Sequence, residues 1–107
     1  LARTHRLDSA IDHFRAAIQF KPDYHDARYN LAHALTKASR HHEAAVQYRD
    51  LALGLTAEGK MGDAVEVAQK GLAAALESGD KAMSKTLVEQ VEAYRGIRDG
   101  NARQTRP

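Results

Sequence analysis

Apolar residues recur every three or four positions along most of this chain, and short polar segments interrupt the pattern. This periodicity is typical of amphipathic helices packed against a core. We expect five helices, at residues 7–20, 24–38, 42–57, 62–77 and 80–96. No segment alternates apolar and polar residues with the two-residue period of a strand, so the pattern predicts an all-α fold. Residues 1–98 should form the domain, and the polar residues 99–107 should form a C-terminal tail.

Residues that end or begin helices separate the predicted elements. Pro22 disfavours helical backbone at the residue before it, and Asp23 is expected to cap the second helix. Gly59 lies in the turn after the third helix. Gly79 should end the fourth helix, and Asp80 should cap the fifth. Because the connections are short, successive helices should run antiparallel.

One pattern recurs after 34 residues. Ala10 corresponds to Ala44, and the aromatic Phe14 corresponds to Tyr48. A helical-hairpin solenoid repeat requires a helix, a helix-breaking residue and a second helix within such a period. Small residues at the helix crossings would allow close approach of the backbones, and the aromatic rings would fill the space between hairpins.

These residues resemble the tetratricopeptide repeat (TPR). The similarity is carried by Ala10, Phe14, Ala17 and Pro22, and then by Tyr29-Asn30-Leu31-Ala32, Ala44 and Tyr48. It covers about one and a half repeats between Leu7 and Leu55, and a divergent helical hairpin follows. The resemblance implies a right-handed superhelix of stacked antiparallel hairpins. The expected repeat-packing residues are Ala10, Ala17, Pro22, Leu31, Ala32, Ala44 and Tyr48.

The resemblance also implies a protein-binding surface. In this family the concave face of the superhelix is lined by the first helix of each hairpin, which corresponds to the second predicted helix here. The residues of that helix that would line the face are Asp26, Tyr29, Asn30, His33, Thr36 and Lys37. Asn30 occupies the position of an asparagine with which some members of the family bind a peptide backbone. Most of the basic residues with which chaperone-binding members clamp a C-terminal carboxylate are missing.

Composition narrows the choice of partners. The formal net charge is +2, and Lys and Arg alternate with Asp and Glu along most of the chain, so nucleic acid is not an expected partner. No apolar run approaches the roughly 20 residues of a membrane span, so membrane insertion is not expected. The chain has no cysteine, which excludes disulfides and thiolate metal sites.

Titratable residues form no convincing catalytic group. Asp8 and Asp12 share a helix face, but no pocket is implied around them. His25 and the nearby Asp23 and Asp26 have no Ser or Cys nucleophile beside them. The six histidines lack the spacing of a metal site. We therefore expect no enzymatic activity, no metal and no cofactor.

The sequence is best interpreted as a protein–protein interaction scaffold, a segment of a larger protein or assembly, because it opens inside a repeat. One alternative is self-assembly through the apolar stripe of the first helix, which the second helix would cover on one side only. That stripe consists of Leu7, Ile11, Phe14 and Ile18. A second alternative is a C-terminal accessory region of a bacterial transferase or glycosyltransferase, since residues 64–96 loosely resemble the end of such TPR regions.

Overall fold

Residues 2–104 fold into five α-helices joined by connections of two to four residues. The computed structural model describes the backbone of residues 2–104 and the side chains of residues 5–100. The helices are α1 (Ala2–Phe20), α2 (His25–Lys37), α3 (His41–Ala57), α4 (Met61–Ser78) and α5 (Lys81–Gln104). No strand occurs between residues 2 and 104, and the prediction of an all-α fold is confirmed.

The helices stack in the order in which they follow one another in the chain. Each packs against the next, and α3 also has a smaller contact with α5. The molecule measures 60 × 30 × 18 Å, with a radius of gyration of 15.1 Å. A compact domain of this length would have a radius of about 13 Å. The elongated stack is therefore the solenoid that the repeat predicts.

Three of the four connections close in the same way. Each contains one residue with positive φ: 61° at Ser39, 77° at Gly59 and 73° at Gly79. The next residue donates its N–H to a carbonyl five positions back, as Arg40 does to Leu35 at 2.8 Å. This is the Schellman arrangement, which satisfies carbonyls left free at a helix end.

The predicted N-caps have different outcomes. Asp80 caps α5 as expected, since its Oδ1 accepts a hydrogen bond from the Met83 N–H at 2.9 Å. That bond is the main reason why the pKa of Asp80 is lowered. The prediction for Asp23 is wrong, because α2 begins at His25 and Tyr24 occupies the cap position with no side-chain hydrogen bond.

The two terminal helices are longer than predicted. α1 extends back to Ala2, and α5 continues to Gln104 instead of ending near residue 96. Residues 99–104, expected in a tail, therefore belong to a helix, while residues 105–107 lie outside the described part. Gly96 and Gly100 are tolerated inside α5, and no proline interrupts the helix before its end.

A continuous apolar core runs along the stack. The largest side chains with less than 2% exposure are Ile11, Leu31, Leu35 and Leu87. Gly71 allows α4 to approach both neighbours closely. A methyl group at Gly71 would lie 3.0 Å from Leu87 Cδ2 and 3.0 Å from Tyr48 Cβ.

The expected repeat-packing residues differ in burial. The buried ones are Leu31, Ala32, Ala44 and Tyr48. Ala10 and Ala17 are only half-buried, because α2 is the one helix that packs extensively on α1. Pro22 is exposed. It follows the end of α1 and acts on the backbone rather than on packing.

Candidate functional site

The six predicted binding residues lie on α2, away from its buried stripe. The exposed ones are Asp26, Asn30, His33 and Lys37. Tyr29 and Thr36 are half-buried beside α3. The Tyr29 ring packs edge-on against the Tyr48 ring at 6.1 Å, and Thr36 Oγ1 donates a hydrogen bond to the Ala32 carbonyl at 2.9 Å. Tyr29 and Thr36 are therefore held in place, while the other four side chains project into solvent.

Thr36 also lines a groove bounded by α2 and α4, with α3 as its floor. We name this the α2/α4 groove. Its lining residues are Thr36 from α2, His41 and Tyr48 from α3, and Lys70, Ala73, Ala74 and Glu77 from α4. Its volume is about 230 Å³, below the range of about 300–1,000 Å³ typical of small-molecule pockets. The dimensions suit one side chain of a partner better than a cofactor.

The sequence explains why the α2/α4 groove is open and mostly apolar. Ala73 and Ala74 occupy adjacent positions of α4, and neither side chain extends far enough to fill it. Tyr48 forms the floor and is 5% exposed. Burial raises the pKa of the Tyr48 phenol, so its hydroxyl stays protonated at neutral pH.

The rim of the groove carries one charge of each sign. Lys70 and Glu77 lie two turns apart on the same side of α4, and both side chains are exposed. Neither takes part in any of the ion pairs formed within residues 5–100. Both charges are therefore available to a ligand.

Sequence reasoning missed the contributions of α3 and α4 to this groove. Residues 70, 73 and 77 follow helical spacing on the side of α4 away from Val65, Ala68 and Leu72, so periodicity contained a signal for them. His41 gave no such signal. In the structure its Nδ1 is buried and has no hydrogen-bond partner among the described residues.

A second groove lies on the other side of the stack, between α1 and α3, and we name it the α1/α3 groove. Its lining residues are Arg15, Ile18, Gln19, Arg28, Leu31 and Gln47. Polar contacts within the chain already occupy much of it. Arg15 pairs with Glu43 at 2.7 Å, and Arg28 donates a hydrogen bond to Gln47 at 2.8 Å. No such bridge between helices is present among the described residues of the α2/α4 groove, so it is the better candidate for binding.

The stripe predicted for self-association faces α2. Ile11 is 1% exposed, so the fold already covers it. Leu7, Phe14 and Ile18 are half-buried. The most exposed large apolar side chain of the described part is Phe20, at 93%, and it was not in the predicted set.

The described residues lack two features that are typical of other functional classes. They contain no group of three or more His, Cys, Asp or Glu side chains that could hold a metal ion. No helix in this part of the chain is long and apolar enough to cross a membrane.

Part of the chain matches a known family. Residues 5–39 match the family model of the TPR repeat. The matched residues contain most of α1, the turn at Pro22 and all of α2, including the exposed residues of α2 described above. Helices α3 to α5 lie outside the match. No curated protein matches the chain.

Proposed function

We propose that this chain, a tetratricopeptide-repeat protein by its match over residues 5–39, is a protein–protein interaction scaffold without catalytic chemistry of its own. The family is an interaction module, and the chain would serve as such a module within a larger protein or assembly. The α2/α4 groove is the observation that supports this proposal most strongly. It is open, mostly apolar and free of internal ion pairs.

The groove favours a peptide segment that inserts one apolar side chain of moderate size. Ala73 and Ala74 would contact that side chain from α4, and the Tyr48 ring would contact it from below. Burial of apolar surface is the main favourable term in such contacts. The Tyr48 hydroxyl is a polar group with which the bound peptide could form a hydrogen bond.

The charges around the groove would orient the peptide. Lys37 follows the groove residue Thr36 on α2, and Lys70 and Glu77 line the groove on α4. Because charges of both signs flank the groove, a partner with a single large charge would gain little affinity. Charge complementarity of this kind contributes specificity and orientation more than affinity. We infer a segment with one apolar anchor and charges of both signs beside it.

Peptide selection on the immobilised chain tests the proposal. Peptides from a random library that bind the parent are measured against Ala73→Arg, which places a long side chain in the groove. Ala73 is exposed and arginine is a good helix former, so the fold should persist. Binding should weaken at least about tenfold, equivalent to about 1.4 kcal/mol.

Ala82→Arg supplies the matched control, because Ala82 is also exposed and lies on α5, outside the groove lining. It should leave binding nearly unchanged. Peptides that bind Ala73→Arg as tightly as the parent would contradict the proposed site. Equal weakening by both variants would show a non-specific effect of added charge and would also count against it.

A further inference from the structure

A third groove lies where the turn after α1 and the start of α2 meet the last two turns of α3, and we name it the end groove. Its apolar lining residues are Pro22 from the turn and Leu53, Gly54 and Ala57 from α3. Its volume is about 480 Å³, within the range of about 300–1,000 Å³ typical of ligand pockets. Leu53 is 59% exposed, so the end groove presents a large apolar side chain to solvent.

The exposure of Leu53 does not arise from a missing helix neighbour. Among the described residues, α2 packs against both α1 and α3, and α3 packs against both α2 and α4. The end groove is therefore open although each of the two helices that build it has a packed neighbour on both sides. An exposed apolar patch rimmed by polar residues is typical of a binding surface.

The two basic side chains that line the end groove already have partners within the fold. Arg28 donates one hydrogen bond to the Pro22 carbonyl at 3.2 Å and another to a glutamine of α3 at 2.8 Å. The His25 ring lies against Gly54, where a methyl group would come within 3.0 Å of its Cε1, and its Nε2 pairs with Glu58. These contacts hold both basic groups in place and leave little positive charge for a ligand.

Three carboxylates also line the end groove, at Asp23, Asp50 and Glu58. Asp23 is exposed and belongs to no ion pair within residues 5–100. Asp50 accepts a hydrogen bond from Arg49 at Oδ1 over 3.1 Å, while its Oδ2 lies 3.9 Å from Arg28 Nη1, beyond hydrogen-bond distance. Asp23 and one oxygen of Asp50 are thus available to a cation.

The balance of charge in the end groove is opposite to that of the chain. The lining has three carboxylates against one guanidinium and one imidazole, whereas the chain has a formal net charge of +2. The hydrogen bond from His25 is the main reason why the pKa of Glu58 is lowered, so this carboxyl stays ionised at neutral pH. Negative charge beside an apolar patch complements a basic side chain with an apolar stem.

We propose that the end groove is a second protein-binding site, which takes a segment of a partner protein carrying an arginine next to an apolar residue. Asp23 and Asp50 would attract the guanidinium, and the apolar residue would pack on Leu53. Arginine suits the site better than lysine, because its planar fork can donate two parallel hydrogen bonds to one carboxylate. The end groove and the α2/α4 groove share no lining residue, so each site can be tested without the other.

Titration with a defined peptide tests the site. The probe is the synthetic peptide acetyl-Gly-Ser-Leu-Arg-Leu-Ser-Gly-amide, and its binding to the ¹⁵N-labelled chain is followed through the backbone amide signals. The signals of Leu53, Gly54 and Ala57 should change most, while those of Ala73 and Glu77 should not change. A matched peptide with glutamate in place of arginine should bind at least about tenfold more weakly.

A substitution at Leu53 tests the apolar part of the site. Leu53→Ser should weaken binding of the probe about five- to tenfold, because it removes the apolar contact. Leu76→Ser is the matched control: Leu76 is 64% exposed on α4 and lines neither the end groove nor the α2/α4 groove. It should leave binding of the probe unchanged.

Substitution of the carboxylates tests the charged part. Asp23→Asn together with Asp50→Asn should weaken binding about three- to tenfold, as expected for the loss of two ion pairs near the surface. Asp8→Asn together with Asp63→Asn removes the same charge from exposed positions outside the end groove and should have little effect.

Unchanged amide signals at millimolar concentrations of the probe would overturn the proposal, as would equal binding of the glutamate peptide. Equal weakening by Leu53→Ser and Leu76→Ser, or by the two pairs of asparagine substitutions, would overturn it as well. Changes confined to Ala73 and Glu77 would place the probe in the α2/α4 groove. That result would reject the end groove and leave the proposed scaffold function standing.

Discussion

Gly71 shows how one residue determines the spacing of three helices. It lies in α4 where a methyl group would come within 3.0 Å of both Leu87 in α5 and Tyr48 in α3. The Cβ atoms of real side chains rarely make contacts as short as 3.0 Å. A larger residue at Gly71 must therefore displace the neighbouring side chains or push α4 away from α3 and α5. Tyr48 is also the floor of the α2/α4 groove, which makes the packing at Gly71 relevant to binding as well as to stability.

We predict that Gly71→Ala destabilises the fold. Overpacking of a core typically costs about 1–3 kcal/mol, and this should exceed the helix-propensity gain of about 1 kcal/mol from replacing glycine. Urea denaturation followed by circular dichroism measures the change in the free energy of unfolding.

Gly96→Ala is the matched control for this substitution. Gly96 also lies inside a helix, but a methyl group there would have no neighbour within 4 Å among the described residues. Its replacement should stabilise the chain by up to about 1 kcal/mol. If the two variants changed stability in the same direction, the close packing at Gly71 would not be the cause.

At the scale of elements, the connections determine where each helix ends. Ser39, Gly59 and Gly79 occupy the same left-handed position in three successive turns. Glycine adopts this conformation without a steric penalty, whereas an L-residue such as Ser39 pays roughly 1–2 kcal/mol. Among the described hydrogen bonds, none involves the Ser39 side chain that could offset this cost.

We therefore predict that Ser39→Gly stabilises the protein. Glycine removes the steric cost of the left-handed conformation, but its greater flexibility in the unfolded chain offsets part of that gain. The free energy of unfolding should therefore rise by about 0.5–1 kcal/mol. The midpoint of thermal unfolding should rise. Ser78→Gly serves as the comparison, because Ser78 is the last residue of α4 and its replacement should lower that midpoint. A lower midpoint for Ser39→Gly would contradict the argument.

At the scale of the whole molecule, stacking in one dimension separates two kinds of surface. The α2/α4 groove lies along the side of the stack and needs three helices to form. In α1, Ala10 and Phe14 are half-buried, because α2 is the one helix among the described residues that packs extensively against α1.

Sequence periodicity was sufficient to predict the helices and their order, because each helix buries one stripe of apolar residues that recur every three or four positions. It also placed Asp26, His33 and Lys37 on an exposed face. It could not predict the α2/α4 groove, since His41, Ala73 and Glu77 come together only when α3 and α4 pack beside α2. Equally, Phe14 and Tyr48 look equivalent in sequence, and only the number of neighbouring helices makes their burial differ.

The most direct test of the proposed scaffold function is to map a bound peptide by nuclear magnetic resonance. The ¹⁵N-labelled chain is titrated with a peptide selected on the parent, and changes in the backbone amide shifts are followed. The largest changes in amide shift are expected in the α2/α4 groove, at Thr36, Ala73 and Glu77. The amide signals of Arg15 and Gln19 in the α1/α3 groove should not change. The largest shifts at Arg15 and Gln19, with none at Ala73, would contradict the account.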